Sequence, residues 1–115
     1  MFTQNFRKTR KHIIDNLINK AQAYSPETLI LGLNAMKNRR DRSNIIRELD
    51  CPVQFIIGQL DTAISWKHSI DQTSLPDIGC IEIMKDIRHQ GMFEAQELTQ
   101  NMIMKFIDFC LKQER

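Results

Sequence analysis

Two residues of this chain have the types and spacing of an acid–base pair. Asp61 closes the run Phe55-Ile56-Ile57-Gly58-Gln59-Leu60-Asp61, and His89 follows 28 residues later within Arg88-His89-Gln90-Gly91-Met92-Phe93-Glu94. Each lies just past a short apolar run of strand character. An acid and a histidine leaving neighbouring strands are what acyl transfer requires of a general base and the carboxylate that orients it. The nucleophile is missing from the pattern. Ser25, Ser43, Ser65, Ser69 and Ser74 all lack the flanking glycines of G-x-S-x-G that let a serine sit on a tight strand-to-helix turn. The blander reading is that an aspartate after a strand-terminal glycine is a turn or cap residue, and that a lone loop histidine is inert. His12, amid basic residues, and His68, beside Lys67, read as solvated.

The pair needs two strands with exits on one rim. Val53-Gln54-Phe55-Ile56-Ile57, with Pro52 at its start and Gly58 at its exit, predicts a strand mostly buried on both faces. Thr62 to Gln72 predicts a loop and short helix carrying Trp66 and Ile70. Leu75-Pro76-Asp77 then turns the chain into a second strand, Gly79 to Met84. A helix between the strands predicts a right-handed crossover and a parallel pair, hence an α/β class. Polar groups at the carboxyl ends of parallel strands converge on one crevice, which is where Asp61 and His89 would meet.

Helices account for the rest. Asn5 to Ala23 puts Phe6, Ile13, Ile14, Leu17, Ile18 and Ala21 on one stripe, with Arg7, Lys8, Arg10 and Lys11 near its start. That basic cluster has no interleaved aromatics and reads as a solvated face, with nucleic-acid contact as the alternative. Ser25 as cap and Pro26 at the first helical position start a second helix, whose Leu29, Leu33 and Met36 are expected to be buried. Asp41 is placed to cap a short helix through Ile45, Ile46 and Leu49. A closing helix over about Glu94 to Gln113 would bury Leu98, Met102, Phe106 and Cys110, with Phe109 beside them.

Composition narrows the function classes. A chain of 115 residues with a formal net charge of +2 fits a single domain, 1–115, and its charge points to no particular partner. The longest apolar stretch, Met102 to Leu111, is interrupted by Lys105 and Asp108 and falls short of the roughly 20 residues that span a bilayer. The polar, basic start is not a secretory signal, so the expectation is a cytoplasmic protein with no membrane and no nucleic-acid partner. Cys51, Cys80 and Cys110 are expected as reduced core thiols. Without C-x-x-C or H-x-x-x-H spacing they suggest no metal site.

Three segments together carry a family likeness: Ala35-Met36-Lys37-Asn38-Arg39, then Cys51 to Ile64 with its Pro52 and Gly58-Gln59-Leu60-Asp61, then His89-Gln90-Gly91-Met92-Phe93-Glu94-Ala95. From about Asn5 to Leu111 the chain resembles the C-terminal part of α/β-hydrolase-fold enzymes. There, a proline-led strand ends in G-x-x-D with the triad acid, and a later G-H-x-x-x-x-E loop carries the triad histidine. The resemblance implies an incomplete α/β-hydrolase fold, with lid-end helices, the last two parallel strands and the C-terminal helix. On it, 1–24 is a lid-like helix, 25–50 are helices leading to the sheet, and 51–115 runs β-α-β-α. It makes Asp61 the triad acid, His89 the general base, and Glu94 an anchor of the histidine loop and cap of the last helix.

The family activity would be cofactor-free hydrolysis of a small ester or acyl-type substrate by a Ser-His-Asp triad, of which this chain supplies only the acid and the histidine. Ile64, Met92 and Phe93 lie beside the site as substrate-lining candidates, with core packing as their other reading. Arg88, Ser65 and Gln96 depart from the family pattern, standing where it has a glycine and two prolines. The alternative is a catalytically inactive piece that self-associates or pairs with a complementary N-terminal half.

Overall fold

The computed structural model describes residues 1–113. They gather into two compact units. One is Gln4–Arg42, and the other joins Met1–Thr3 to the chain from Ser43 onward.

The second unit is a mixed helix–strand structure built on two parallel strands. Its elements are α4 (Ser43–Arg47), β1 (Val53–Gly58), α5 (Trp66–Gln72), β2 (Gly79–Met84), α6 (Gly91–Glu94) and α7 (Gln96–Gln113). β1 and β2 pair in parallel with no slip, from Val53 opposite Gly79 to Gly58 opposite Met84. The expected parallel pair is therefore present, and α5 lies between its strands in sequence. Because side chains alternate along a strand, Gln54, Ile56 and Gly58 share a face with Cys80, Glu82 and Met84. α7 lies on that face: the Gln54 amide donates to the Met102 carbonyl at 3.1 Å, and Met84, only 4% exposed, receives the Thr99 hydroxyl on its sulfur at 3.7 Å.

The opposite face is less well covered than the sequence predicts. Ile57 is buried, but Ile81 and Ile83 of β2 are exposed, and Val53 and Phe55 of β1 are half-buried. A strand buried on both faces needs a layer on each side, and only part of the second layer is present. Along α7, Met102, Phe106, Phe109 and Cys110 are half-buried as expected, whereas Leu98 is exposed. Cys51 is also exposed. It is a free thiol like the half-buried Cys80 and Cys110, so it is not the core residue expected.

The unit Gln4–Arg42 is helical, with α1 (Gln4–Thr9), α2 (Lys11–Gln22) and α3 (Pro26–Lys37). The single helix predicted over Asn5 to Ala23 is broken at Arg10, whose backbone leaves the helical region at φ −126°, ψ 36°. Thr9 supplies a cause: its hydroxyl donates to the Asn5 carbonyl at 3.0 Å, a back-bond of the kind that bends helices. Phe6 is buried, and Ile13, Ile14 and Leu17 are half-buried.

α3 starts as the sequence predicts. The Ser25 hydroxyl accepts the Thr28 N–H at 3.2 Å, and Pro26 opens the helix. Its apolar face is not buried: Leu29, Leu33 and Met36 are exposed, Met36 by 68%. With Tyr24, Thr28 and Gly32 they line an open apolar groove of about 390 Å³. A methyl added at Gly32 would meet nothing within 4 Å.

Candidate functional site

The site forms where the exits of β1 and β2 continue to pair after the strands end. Gln59 N–H donates to the Met84 carbonyl at 3.0 Å, and Leu60 N–H reaches the Ile87 carbonyl at 2.9 Å. Asp86 takes the left-handed conformation (φ 57°), which a short polar side chain tolerates, as the chain leaves β2 toward that contact. The two loops touch closely enough that Gly58 is required. A Cβ there would run into the Arg88 carbonyl oxygen and come within 2.9 Å of that of Ile87. Gly91 is crowded in a softer way, since a methyl on it would have to push aside the terminal methyl of the Met84 side chain.

This pairing brings Asp61 and His89 together, with Asp61 Oδ2 2.8 Å from His89 Nδ1. The other carboxylate oxygen accepts two backbone N–H groups, from Ala63 at 2.8 Å and Ile64 at 3.0 Å. Asp61 is thus both the turn residue of the blander reading and the partner of the imidazole. Its side chain is 13% exposed, that of His89 30%. Burial pushes the Asp61 carboxyl up. The hydrogen bonds from His89, Ile64 and Ala63, aided by the charge of His89, outweigh it and hold the group below its ordinary value of 3.8.

An ionised Asp61 accepts from Nδ1–H, which makes Nε2 the basic nitrogen of the neutral ring. Among the described residues the ring makes no other side-chain hydrogen bond, and no serine lies on Nε2. The arrangement can orient an imidazole, accept a proton at Nε2 and stabilise the resulting imidazolium.

Arg88 does not displace the histidine. It keeps a negative φ, so its backbone has no need of glycine. Its N–H donates to Glu94 Oε1 at 3.3 Å, while Glu94 Oε2 accepts the Thr3 N–H at 2.9 Å. Glu94 therefore anchors the histidine loop and makes no contact with the imidazole. Thr99 fixes the far side of that loop, its hydroxyl lying 3.2 Å from the Gly91 carbonyl and 2.9 Å from that of Ala95. The chain leaves helical geometry at Ala95 (φ −138°, ψ 56°), so the closing helix begins at Gln96, with α6 set apart from it.

Ile64, Met92 and Phe93 are exposed, so core packing does not account for them. Phe93 meets Phe2 edge-on, with ring centroids 6.3 Å apart and planes at 66°. Sequence reasoning missed Phe2 and Thr3 altogether, because nothing local marks a contact made across some ninety positions. The Ala63 and Ile64 amides were detectable in principle, since an aspartate opening a turn bonds to N–H groups two and three residues on.

Among the described residues no three His, Cys, Asp or Glu side chains are grouped to hold a metal ion, and no helix is long and apolar enough to cross a membrane. Protein-family models, curated proteins and solved structures compared with the chain yield no match.

Proposed function

We propose that this chain is the acid–base half of an acyl-transfer site of α/β-hydrolase type, with His89 as general base and Asp61 as the carboxylate that orients it. The 2.8 Å contact between Asp61 Oδ2 and His89 Nδ1 carries the proposal. In the reaction, Nε2 of His89 removes the proton from an attacking hydroxyl as that oxygen bonds to the acyl carbon. The imidazolium, held by the Asp61 carboxylate, then returns the proton to the departing alkoxide or amine. Asp61 stays ionised throughout. Ile64, Met92 and Phe93 would form the apolar wall against a small ester or acyl-type substrate. The attacking serine would be supplied by a complementary polypeptide, and the chemistry calls for no cofactor. Three free cysteines suit a reducing compartment such as the cytoplasm.

The purified chain should not turn over activated short-chain esters. Adding a polypeptide that bears a G-x-S-x-G serine and complements the sheet should restore both turnover and fluorophosphonate labelling of that serine. His89→Ala should reduce the restored turnover by about 10³-fold or more. Turnover by the chain alone that survives His89→Ala would sink the proposal.

A second reading, favoured by the uncovered α3 face and by Ile81 and Ile83, is that the chain acts as an inactive assembly piece. A two-stranded sheet leaves backbone donors and acceptors open on its edges, which invites pairing. Covering an exposed Leu or Met fully contributes about 1.5–3 kcal/mol per side chain. On this reading the partner is a second copy or a complementary half. A concentration-dependent mass in light scattering would support it; a monomer at high concentration that binds no hydrophobic dye would rule it out.

A further inference from the structure

Residues far apart in sequence close on the histidine loop from both sides, and nothing in the acid–base pair itself requires them. Glu94 accepts the Arg88 N–H, immediately before His89, on one oxygen. The Gln90 carbonyl, immediately after His89, accepts the N–H groups of Phe93 and Glu94, each at 2.9 Å. His89 therefore sits between two positions fixed by the same short turn. The second Glu94 oxygen is held by Thr3 N–H at 2.9 Å, and the neighbouring Phe93 ring is held by Phe2. Thr3 makes the shorter of the two bonds to the carboxylate. Arg88, at 3.3 Å, makes the longer one, so the orientation that reaches Arg88 depends on the donor at Thr3.

We propose that Phe2 and Thr3 form a clasp on Phe93 and Glu94 that fixes the backbone on either side of His89, which makes Glu94 and Thr3 positioning residues for the imidazole. The clasp deepens the acyl-transfer reading by naming what sets the base in place. It is a geometric claim about the Asp61–His89 pair, so it can fail or hold independently of whether the pair does chemistry. The contact with Thr3 explains why Glu94 can anchor the loop despite standing at the end of a helix of only four residues.

The test removes single donors from the full chain. Thr3→Pro deletes the N–H, at the cost of the Thr3 side chain, and leaves Phe2, Phe93, Glu94, Asp61 and His89 in place; proline is tolerated at the start of a helix such as the one that begins at Gln4. Phe2→Ala removes the ring contact independently. Two signals are read by NMR at neutral pH: the His89 Nδ1 proton, shifted downfield while it is held by Asp61, and hydrogen exchange at the Arg88 amide. With unchanged far-UV circular dichroism, each variant should raise Arg88 exchange at least about tenfold and broaden or shift the Nδ1 signal, while the Ile57 amide in β1 keeps its protection. Glu94→Gln should behave like Thr3→Pro, because an amide offers one acceptor oxygen to two donors. A folded Thr3→Pro or Phe2→Ala protein with both signals as in the wild type would overturn the clasp. If Thr3→Pro fails to fold, the Phe2→Ala result decides. No esterase activity on complementation of the wild-type chain, with the variants' signals changed as expected, would count against the acyl-transfer reading and leave the clasp standing.

Discussion

The rim of the sheet and the face of α3 are opposites in how they meet their needs. At the rim, both oxygens of Asp61, both oxygens of Glu94, and the amides of Gln59 and Leu60 have partners within the chain, and Nε2 of His89 is left open for chemistry. On α3 the face of Leu29, Leu33 and Met36 is exposed, Met36 by 68%, and so is Leu31 off that face, by 69%. Directional bonds are local enough to be completed by two loops in contact. Apolar burial needs an opposing surface of comparable area, and a single short helix cannot supply one to itself. The difference teaches that a polar site can be assembled by a chain whose hydrophobic layers remain open.

Gly58→Ala should produce the largest break in this contrast. The added methyl meets backbone, which cannot swing aside, so a loss of about 2 kcal/mol or more is expected by urea denaturation, together with loss of the His89 Nδ1 signal. An unchanged urea midpoint would mean that the loops do not touch as described.

Acidification should come next. Asp61 has a folded pKa below its ordinary 3.8, so its contribution is present above that value and is lost as pH falls through the depressed one. Asp61→Asn should flatten that acid limb when the urea midpoint is followed from pH 6 to pH 2, and an equally steep limb in the variant would assign the loss elsewhere.

Ser25→Ala removes the acceptor for Thr28 N–H and should cost about 1 kcal/mol, read as fraying at the start of α3 by amide exchange. Smallest of all should be Leu33→Ser in the isolated chain. An exposed position predicts a change within about 0.5 kcal/mol, accompanied by weaker self-association if that face is what copies share. A loss of several kcal/mol would show that α3 is buried after all and abolish the contrast.

Asp61 and His89 were legible in the sequence because the strands that deliver them are short, β-rich and punctuated by Pro52 and Gly58, and because parallel strands share an exit rim. The start of α3 was legible for a similar reason: Ser25 and Pro26 act through bonds a few residues long. Leu29, Leu33, Met36 and Leu98 were misread because helical spacing says which residues can share a buried stripe, and says nothing about whether a covering surface is present. The breaks at Arg10 and Ala95 escaped because both fall inside runs with continuous apolar spacing. Each is tied to a threonine hydroxyl, on Thr9 and on Thr99, bonded to a carbonyl four residues back. The link from Glu94 to Thr3 depends on the whole path of the chain, which no local pattern encodes.

Gly32 carries a consequence of its own. A glycine amid a helix costs about 1 kcal/mol against alanine, and here no neighbouring atom forbids the extra methyl. In the chain by itself, Gly32→Ala should therefore raise helix content and melting temperature. A backbone or aromatic ring from outside that lodged in the notch would reverse the sign, so this substitution reports on whether α3 has a tenant.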